Sequence, residues 1–196
     1  MRTYVSRGGQ KLEHALEQFE LSVADMLCAD FGCSKGGFTD CLLQHGARRV
    51  IAVDTGYGFL DYGLRMDSRV EVRERTNVLH AEPPAEAVDR VVMDLGWTRQ
   101  RDSIAVARRW LAPGGRVVSL VKPQYEVTPE QKRLLRKGVL PVEVAEEVAE
   151  RVQGEVRASG VEVLAFTRSP IQGRGSQKAN GNVEFLALYA FPGAAP

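Results

Sequence analysis

The sequence lacks several features that would assign it to a class directly. It has three cysteines, Cys28, Cys33 and Cys41, and none of them forms a Cys-x-x-Cys pair. Scattered thiols in odd number favour reduced, core-filling cysteines over a disulfide framework or a metal site. The apolar runs are too short to cross a bilayer, and the first residues do not resemble a signal peptide. We therefore expect a cytoplasmic protein with no membrane partner and no metal.

A strong net charge is also absent. The 26 basic and 25 acidic side chains leave a formal charge of +1, so overall charge does not indicate a nucleic-acid-binding protein. The basic residues are nevertheless clustered in the middle of the chain and in a later group. They are Arg99, Arg101, Arg108, Arg109, Lys132, Arg133, Arg136, Lys137, Arg168, Arg174 and Lys178. The clusters predict a basic rim beside a binding site, and a solvated helix face is the alternative for any single arginine.

The sequence does contain a regular alternation of strands and helices. Continuous apolar runs predict buried strands at 27–31, 50–54, 90–94 and 116–122. Helical or glycine-rich segments follow these strands, which favours a Rossmann-like α/β fold with a mostly parallel sheet. Two final strands, at about 161–167 and 183–191, are joined by a polar loop without helical periodicity. The last strand should therefore be antiparallel.

Chain length bounds the number of domains. The 196 residues suit one α/β domain with a full core, and the sequence contains neither a linker nor an internal repeat. We expect a single domain over 1–196. Residues 1–9 would be a lead-in, and 192–196 a flexible tail.

A glycine-rich turn after the first predicted strand is a candidate ligand site. Its sequence is Asp30-Phe31-Gly32-Cys33-Ser34-Lys35-Gly36-Gly37-Phe38, and its glycines permit a tight turn and a close approach of the backbone to a ligand. The spacing differs from Gly-x-Gly-x-x-Gly, which disfavours the alternative of a nicotinamide-dependent oxidoreductase. Asp54 ends the second strand, where a carboxylate can accept hydrogen bonds from ribose hydroxyls. These residues predict a site for an adenosine-containing cofactor.

Four charged residues are predicted to meet at the carboxyl edge of the sheet. Asp94 and Lys122 end buried parallel strands, which places both residues at that edge. Glu184 lies at the start of the antiparallel last strand, and Lys11 lies at the start of the first helix. For Lys122 alone the alternative is a solvated strand-end lysine, and for Asp94 alone a helix cap or salt bridge. A common site explains all four positions together.

Methyl transfer to a ribose hydroxyl would suit such a group of charges. The reaction needs a group that takes or weakens the hydroxyl proton, and a lysine with its usual pKa of about 10.4 is mostly protonated at neutral pH. Desolvation and a second ammonium are expected to lower that pKa, while a carboxylate opposes the shift and orients the amine. We predict that Lys122 is the general base or hydroxyl activator and that Asp94 orients it. Lys11 and Glu184 would tune the charge and hold the nucleotide.

Five separated motifs carry a family resemblance. They are Ser6-Arg7-Gly8-Gly9-Gln10-Lys11-Leu12, Gly36-Gly37-Phe38-Thr39-Asp40-Cys41-Leu42, Glu74-Arg75-Thr76-Asn77, Val121-Lys122-Pro123-Gln124 and Gly181-Asn182-Val183-Glu184-Phe185-Leu186. They resemble the FtsJ-like methyltransferases, and most closely the haemolysin A-like (TlyA) branch of ribosomal RNA 2′-O-methyltransferases. The resemblance spans nearly the whole chain. It implies a Rossmann-like methyltransferase fold, S-adenosyl-L-methionine as cofactor and ribosomal RNA as partner.

The resemblance also assigns roles to individual residues. It implies a catalytic Lys-Asp-Lys-Glu tetrad at Lys11, Asp94, Lys122 and Glu184. The candidate cofactor-binding residues are Asp30, Gly32, Ser34, Gly36, Gly37, Phe38, Asp54, Asn77 and Asp94, with Asn77 near the adenine. The implied activity is 2′-O-methylation of a ribose in ribosomal RNA. The alternative is an RNA-binding module that keeps the fold and has little or no turnover.

The sequence departs from the family pattern in three places. Members of the branch carry an N-terminal S4-type RNA-binding domain, whereas this sequence starts at the expected catalytic domain. Asp94-Leu95-Gly96-Trp97 replaces the usual Asp-Val-Ser-Phe, and Trp97 is either a stacking platform for an unstacked base or a core residue. The loop 173–180, just before Glu184, looks longer than that of the family.

Overall fold

The computed structural model describes residues 3–173 and 181–193. Their strands are β1 (Leu27–Phe31), β2 (Arg49–Val53), β3 (Val70–Arg73), β4 (Val88–Met93), β5 (Leu111–Val121), β6 (Glu162–Arg168) and β7 (Phe185–Ala190). Their α-helices are α1 (Gly8–Gln18), α2 (Gly37–Gln44), α3 (Tyr62–Met66), α4 (Gln100–Trp110) and α5 (Val142–Ala158). Short 3₁₀ helices lie at Val78–His80, Pro123–Tyr125 and Gln131–Leu134.

The strands form one sheet in the order β3-β2-β1-β4-β5-β7-β6. Along the sheet, the neighbouring strands β3, β2, β1, β4 and β5 are all parallel. Strand β7 is antiparallel to both β5 and β6. The predicted mostly parallel sheet with an antiparallel last strand is confirmed. Because Val121 at the end of β5 pairs with Phe185 at the start of β7, the start of β7 lies at the edge where the parallel strands end.

Helices cover both faces of the sheet, and this explains the continuous apolar runs of the central strands. On one face, α1 and α2 pack their apolar side chains against Cys28 of β1. On the other face, α4 and α5 pack against Phe31, whose ring meets Trp110 edge-on at a centroid distance of 4.9 Å. Cys28, Cys33 and Cys41 are buried in the core on the face covered by α1 and α2, where they pack among apolar side chains.

The boundary between α4 and β5 differs from the prediction. The strand was predicted to begin at 116, but β5 already begins at Leu111. The pairing of β4 with β5 is shifted between Val88 and Arg90, so the extra residues of β5 form an irregularity inside the strand. Gly115 fits this bend because a β-carbon there would lie 2.7 Å from a Leu111 methyl group and 2.9 Å from a backbone carbonyl.

Helix α3 was not predicted, because its five residues follow a glycine-rich segment without a clear apolar period. Asp61 caps its first turn, accepting a hydrogen bond from the backbone N–H of Gly63 at 2.8 Å. Leu64 is the buried residue of this helix and packs toward the glycine turn. Within 3–173 and 181–193, no helix has the length and apolar character required to span a membrane.

Candidate active site

A cleft of about 1070 Å³ opens at the carboxyl edge of the sheet. The turn after β1, the ends of β4 and β5, the start of α1 and the segment before β7 all contribute to it. The structure brings the four predicted charged residues together here, since Lys11, Asp94, Lys122 and Glu184 all line the cleft. They form two ion pairs.

The first pair joins Lys122 to Asp94. These residues directly follow the neighbouring parallel strands β5 and β4, which places them side by side. Lys122 Nζ lies 2.5 Å from Asp94 Oδ1, and 17% and 27% of the two side chains are exposed. Burial alone would lower the pKa of Lys122, but the Asp94 carboxylate outweighs it and raises that pKa above its usual value. The expected lowering of this pKa was therefore wrong, because the neighbouring carboxylate favours the ammonium form of Lys122.

The second pair joins Lys11 in α1 to Glu184, one residue before β7. Lys11 Nζ lies 2.5 Å from Glu184 Oε2, and both residues are buried. The backbone carbonyl of Glu184 accepts a hydrogen bond from the N–H of Ser169 at 2.9 Å. Gly173 packs directly on the carboxylate, because a β-carbon at this glycine would lie 2.5 Å from Glu184 Oε1. This pair connects the first helix to the last strand in the interior of the cleft.

The glycine turn is packed tightly against both neighbouring segments. Gly32 has a φ of +85°, and a β-carbon there would lie 2.8 Å from the backbone oxygen of Asp94. A β-carbon on Gly37 would lie 2.2 Å from Ser6 Oγ and 2.9 Å from the backbone nitrogen of Gly9. The two glycines are therefore needed so that the turn can approach β4 on one side and the start of α1 on the other.

Asp54 supports the same turn from the end of β2. Its Oδ2 accepts a hydrogen bond from the N–H of Ser34 at 2.8 Å, and its Oδ1 accepts one from the N–H of Gly56 at 2.7 Å. A carboxylate has about four acceptor positions, so Asp54 keeps capacity for ribose hydroxyls. Phe59 packs on Gly56 near this carboxylate and lines the cleft, although the sequence did not single it out.

Asp30 is a fully buried carboxylate in β1. The hydroxyl of Thr39 in α2 donates a hydrogen bond to its Oδ2 at 2.7 Å, whereas its Oδ1 has no partner among the described residues. Burial raises the pKa of Asp30 to about 7, against a smaller opposing effect of the Thr39 hydrogen bond. Asp30 thus connects β1 to α2 and retains an unused acceptor atom beside the glycine turn.

The predicted cofactor residues divide into two groups. Gly32, Ser34, Gly37, Phe38 and Asp94 line the cleft. Asp30, Gly36, Asp54 and Asn77 do not belong to its lining. Asn77 is exposed, and its side chain accepts a hydrogen bond from the N–H of Leu79 at 3.0 Å, which caps the 3₁₀ helix Val78–His80.

Aromatic side chains stand at another part of the cleft. Trp97 is 87% exposed, so the core alternative for this residue was wrong. Its ring lies 4.6 Å from that of Tyr125, centroid to centroid, and both residues line the cleft. The Oε1 atom of the adjacent Gln124 is buried without a partner in the described part of the chain. Tyr125 follows the Val121-Lys122-Pro123-Gln124 motif directly, and this position was the signal that could have identified it.

The basic residues are only partly arranged as predicted. Lys132 and Lys137 line the cleft, but Arg108 lies over the ring of Phe191, in the last turn of α4. Because α4 leads from the end of β4 to the start of β5, its last turn is at the opposite edge of the sheet. Arg174, Lys178 and most of the predicted long loop lie outside the described residues. Among residues 3–173 and 181–193, no group of His, Cys, Asp or Glu is arranged to hold a metal.

Known proteins are similar to this chain over most of its length. The profile of the FtsJ-like methyltransferases matches residues 4–187. The chain is 40% identical over 194 residues to YqxC of Bacillus subtilis, covering 97% of this chain and 66% of YqxC. It is 45% identical over 128 residues to the 16S/23S rRNA (cytidine-2′-O)-methyltransferase TlyA of Mycobacterium tuberculosis, covering 64% of this chain and 48% of TlyA. The chain thus spans about two thirds of the first relative and half of the second.

Solved structures show the same fold. A protein from Streptococcus thermophilus described as a hemolysin superposes with a TM-score of 0.87 at 40% identity, covering 96% of this chain and 67% of that chain. An S-adenosylmethionine-dependent methyltransferase from Mesorhizobium loti superposes with a TM-score of 0.61 at 14% identity, covering 90% and 95% of the two chains. The second likeness concerns the fold alone.

Proposed function

Because the chain belongs to the FtsJ-like methyltransferase family, we propose that it methylates a ribose 2′-hydroxyl of ribosomal RNA with S-adenosyl-L-methionine. The observation that carries this proposal is the meeting of two lysine–carboxylate pairs in one cleft beside the glycine turn. The name of the Mycobacterium tuberculosis relative, a 16S/23S rRNA (cytidine-2′-O)-methyltransferase, supports ribose as the acceptor. Ribosomal RNA as substrate also implies a cytoplasmic site of action.

The turn fits the proposed cofactor. Glycines stand where β-carbons would collide with β4 and α1, so the backbone can closely approach a nucleoside. Asp54 retains acceptor positions for ribose hydroxyls. The proposed cofactor residues are Asp30, Gly32, Ser34, Gly36, Gly37, Phe38, Asp54, Asn77 and Asp94. When bound, S-adenosyl-L-methionine supplies an electrophilic methyl group on a sulfonium.

Lys122 is proposed to activate the hydroxyl through Nζ. Asp94 fixes the position of Nζ and favours its ammonium form. Once Nζ has lost its proton to solvent, it accepts the hydroxyl proton as the oxygen is methylated. The ion pair between Lys11 and Glu184 fixes the wall of the cleft. Because the pair has no net charge, it does not oppose the approach of RNA.

Methyl-transfer assays on ribosomal RNA test the proposal directly. Small- and large-subunit RNA and intact subunits would be incubated with protein and methyl-labelled S-adenosyl-L-methionine, and digests would be analysed by mass spectrometry. We expect label in 2′-O-methylated nucleosides and none with Lys122→Met. Label on a base, or no transfer to any RNA, would contradict the proposal. RNA binding without transfer would favour the non-catalytic module instead.

A further inference from the structure

The segment before α5 forms a short basic hairpin that the proposed chemistry does not use. The N–H of Arg136 donates to the carbonyl of Val139 at 2.8 Å, and the N–H of Val139 donates back at 3.0 Å. Lys137 and Gly138 between them have φ values of +52° and +81°, as a two-residue type I′ turn requires. A lysine rarely adopts a positive φ, and other contacts must offset its cost. The turn thus holds Lys137 at its tip.

Asn182 fastens this hairpin to the catalytic segment. Its side-chain amide donates to the carbonyl of Gly138 at 2.8 Å, and its Oδ1 accepts from the N–H of Leu140 at 2.9 Å. Asn182 is buried and lies two residues before Glu184. The hairpin is therefore fixed relative to the ion pairs, and its tip occupies a defined position at the cleft.

The charge on this side of the cleft has no counterpart in the described residues. Lys132 and Lys137 are exposed and line the cleft, and neither forms an ion pair there. The basic lining residues are Arg7, Lys11, Lys35, Lys122, Lys132 and Lys137, whereas the acidic ones are Asp94 and Glu184. The cleft is thus strongly positive in a chain of formal charge +1. A sulfonium cofactor gains nothing from this excess, but a polyanion does.

We propose that Lys132 and Lys137 bind backbone phosphates of the RNA strand that enters the cleft. The inference rests on the proposed function and names the part of the RNA that this wall holds. Phosphate contacts position a strand without distinguishing its sequence. The two lysines should therefore contribute similarly to the binding of any single-stranded RNA.

Salt-dependent RNA binding tests this assignment. Fluorescence anisotropy with a fluorescein-labelled, single-stranded oligoribonucleotide of mixed sequence would be recorded at several salt concentrations. In Lys132→Ala/Lys137→Ala, we expect the slope of log affinity against log salt to shrink by roughly 0.7 per lysine. The KM for ribosomal RNA should rise roughly tenfold, with unchanged kcat and cofactor affinity, since lost phosphate contacts weaken binding uniformly.

Two variants serve as controls. Arg157→Ala removes an exposed basic residue in the last turn of α5, at the opposite end of that helix from the hairpin, and should leave both slope and KM unchanged. Lys132→Arg/Lys137→Arg keeps both charges and should retain binding. Thermal melting confirms that every variant is folded.

The outcomes distinguish the two proposals. If the wild-type protein methylates ribose but the double alanine variant keeps its salt slope and KM, the phosphate assignment is wrong. If the wild-type protein methylates no RNA, the proposed function is wrong. A slope that shrinks equally in Arg157→Ala would also overturn the assignment, because it would show an unlocalised effect of net charge.

Discussion

The two ion pairs of the cleft have the same length and different surroundings. Each joins a lysine nitrogen to a carboxylate oxygen at 2.5 Å. Lys11 and Glu184 are 8% and 4% exposed and come from opposite ends of the chain. Lys122 and Asp94 follow neighbouring strands, and parts of both side chains remain open to solvent. Two ion pairs of equal length can therefore have different roles: the buried pair is suited to support, and the open pair is suited to reaction.

The strongest test of this contrast is removal of the open lysine. Lys122→Met should lower kcat at least about a thousandfold, because general base catalysis contributes roughly 10²–10⁴-fold and alignment is lost as well. Stability should change by less than about 1 kcal/mol, since Asp94 remains partly solvated. Methyl-transfer kinetics measure kcat, and urea unfolding measures the stability. Near-full activity in this variant would contradict the assigned role.

Breaking the buried Lys11–Glu184 pair should mainly reduce stability, whereas removal of Lys122 mainly reduces kcat. Lys11→Met leaves Glu184 as an uncompensated buried charge, and such changes cost about 3–5 kcal/mol. Urea unfolding at neutral pH should show this loss, and Lys11→Met/Glu184→Leu should recover most of it while staying poorly active. If the single variant loses no stability, the supporting role of this pair is wrong.

A smaller disturbance can be introduced next to the same carboxylate. Gly173→Ala adds a methyl group 2.5 Å from Glu184 Oε1, so the carboxylate must move away. Crowding of this kind costs about 1–3 kcal/mol. Gly154→Ala is the matched control, since a β-carbon there meets nothing within 4 Å inside α5 and should stabilise by about 0.5–1 kcal/mol. Equal effects of the two substitutions on unfolding would show that the glycine–carboxylate contact is unimportant.

The pH dependence of kcat/KM tests the role of the Lys122–Asp94 pair. Lys122 must lose a proton to act as base, and its pKa is raised because Asp94 outweighs the lowering effect of burial. We therefore expect kcat/KM to rise about tenfold per pH unit below that pKa, without a plateau near neutrality. In Asp94→Asn the carboxylate is lost, so the profile should level off at lower pH. A wild-type plateau near pH 7 would contradict Lys122 as the base.

The order of elements was largely predictable, because apolar runs and glycine turns are local signals. The four central strands and the antiparallel β7 were identified from these patterns. Helix α3 and the early start of β5 were missed. The first is too short to show a period, and the second depends on how β5 fits against β4.

The site was predictable to the extent that topology alone places residues at one edge. Parallel strands end together, so Asp94 and Lys122 had to be neighbours once β4 and β5 were adjacent. Trp97 shows the limit, since its sequence position was compatible with either a core or an exposed location. Nor could the sequence indicate that Asn182 holds the hairpin with Lys137 at its tip, because this hydrogen bond joins distant segments of the chain.

Local patterns in the amino-acid sequence were enough to identify the α/β class, the glycine turn and the four charged residues. Which lysine pairs with which carboxylate, and how deeply each pair is buried, became apparent in the folded chain alone. The physical reason is that pairing and burial depend on distances between segments far apart in the chain. The direction of the Lys122 pKa depends on both at once, because desolvation and a neighbouring charge act against each other.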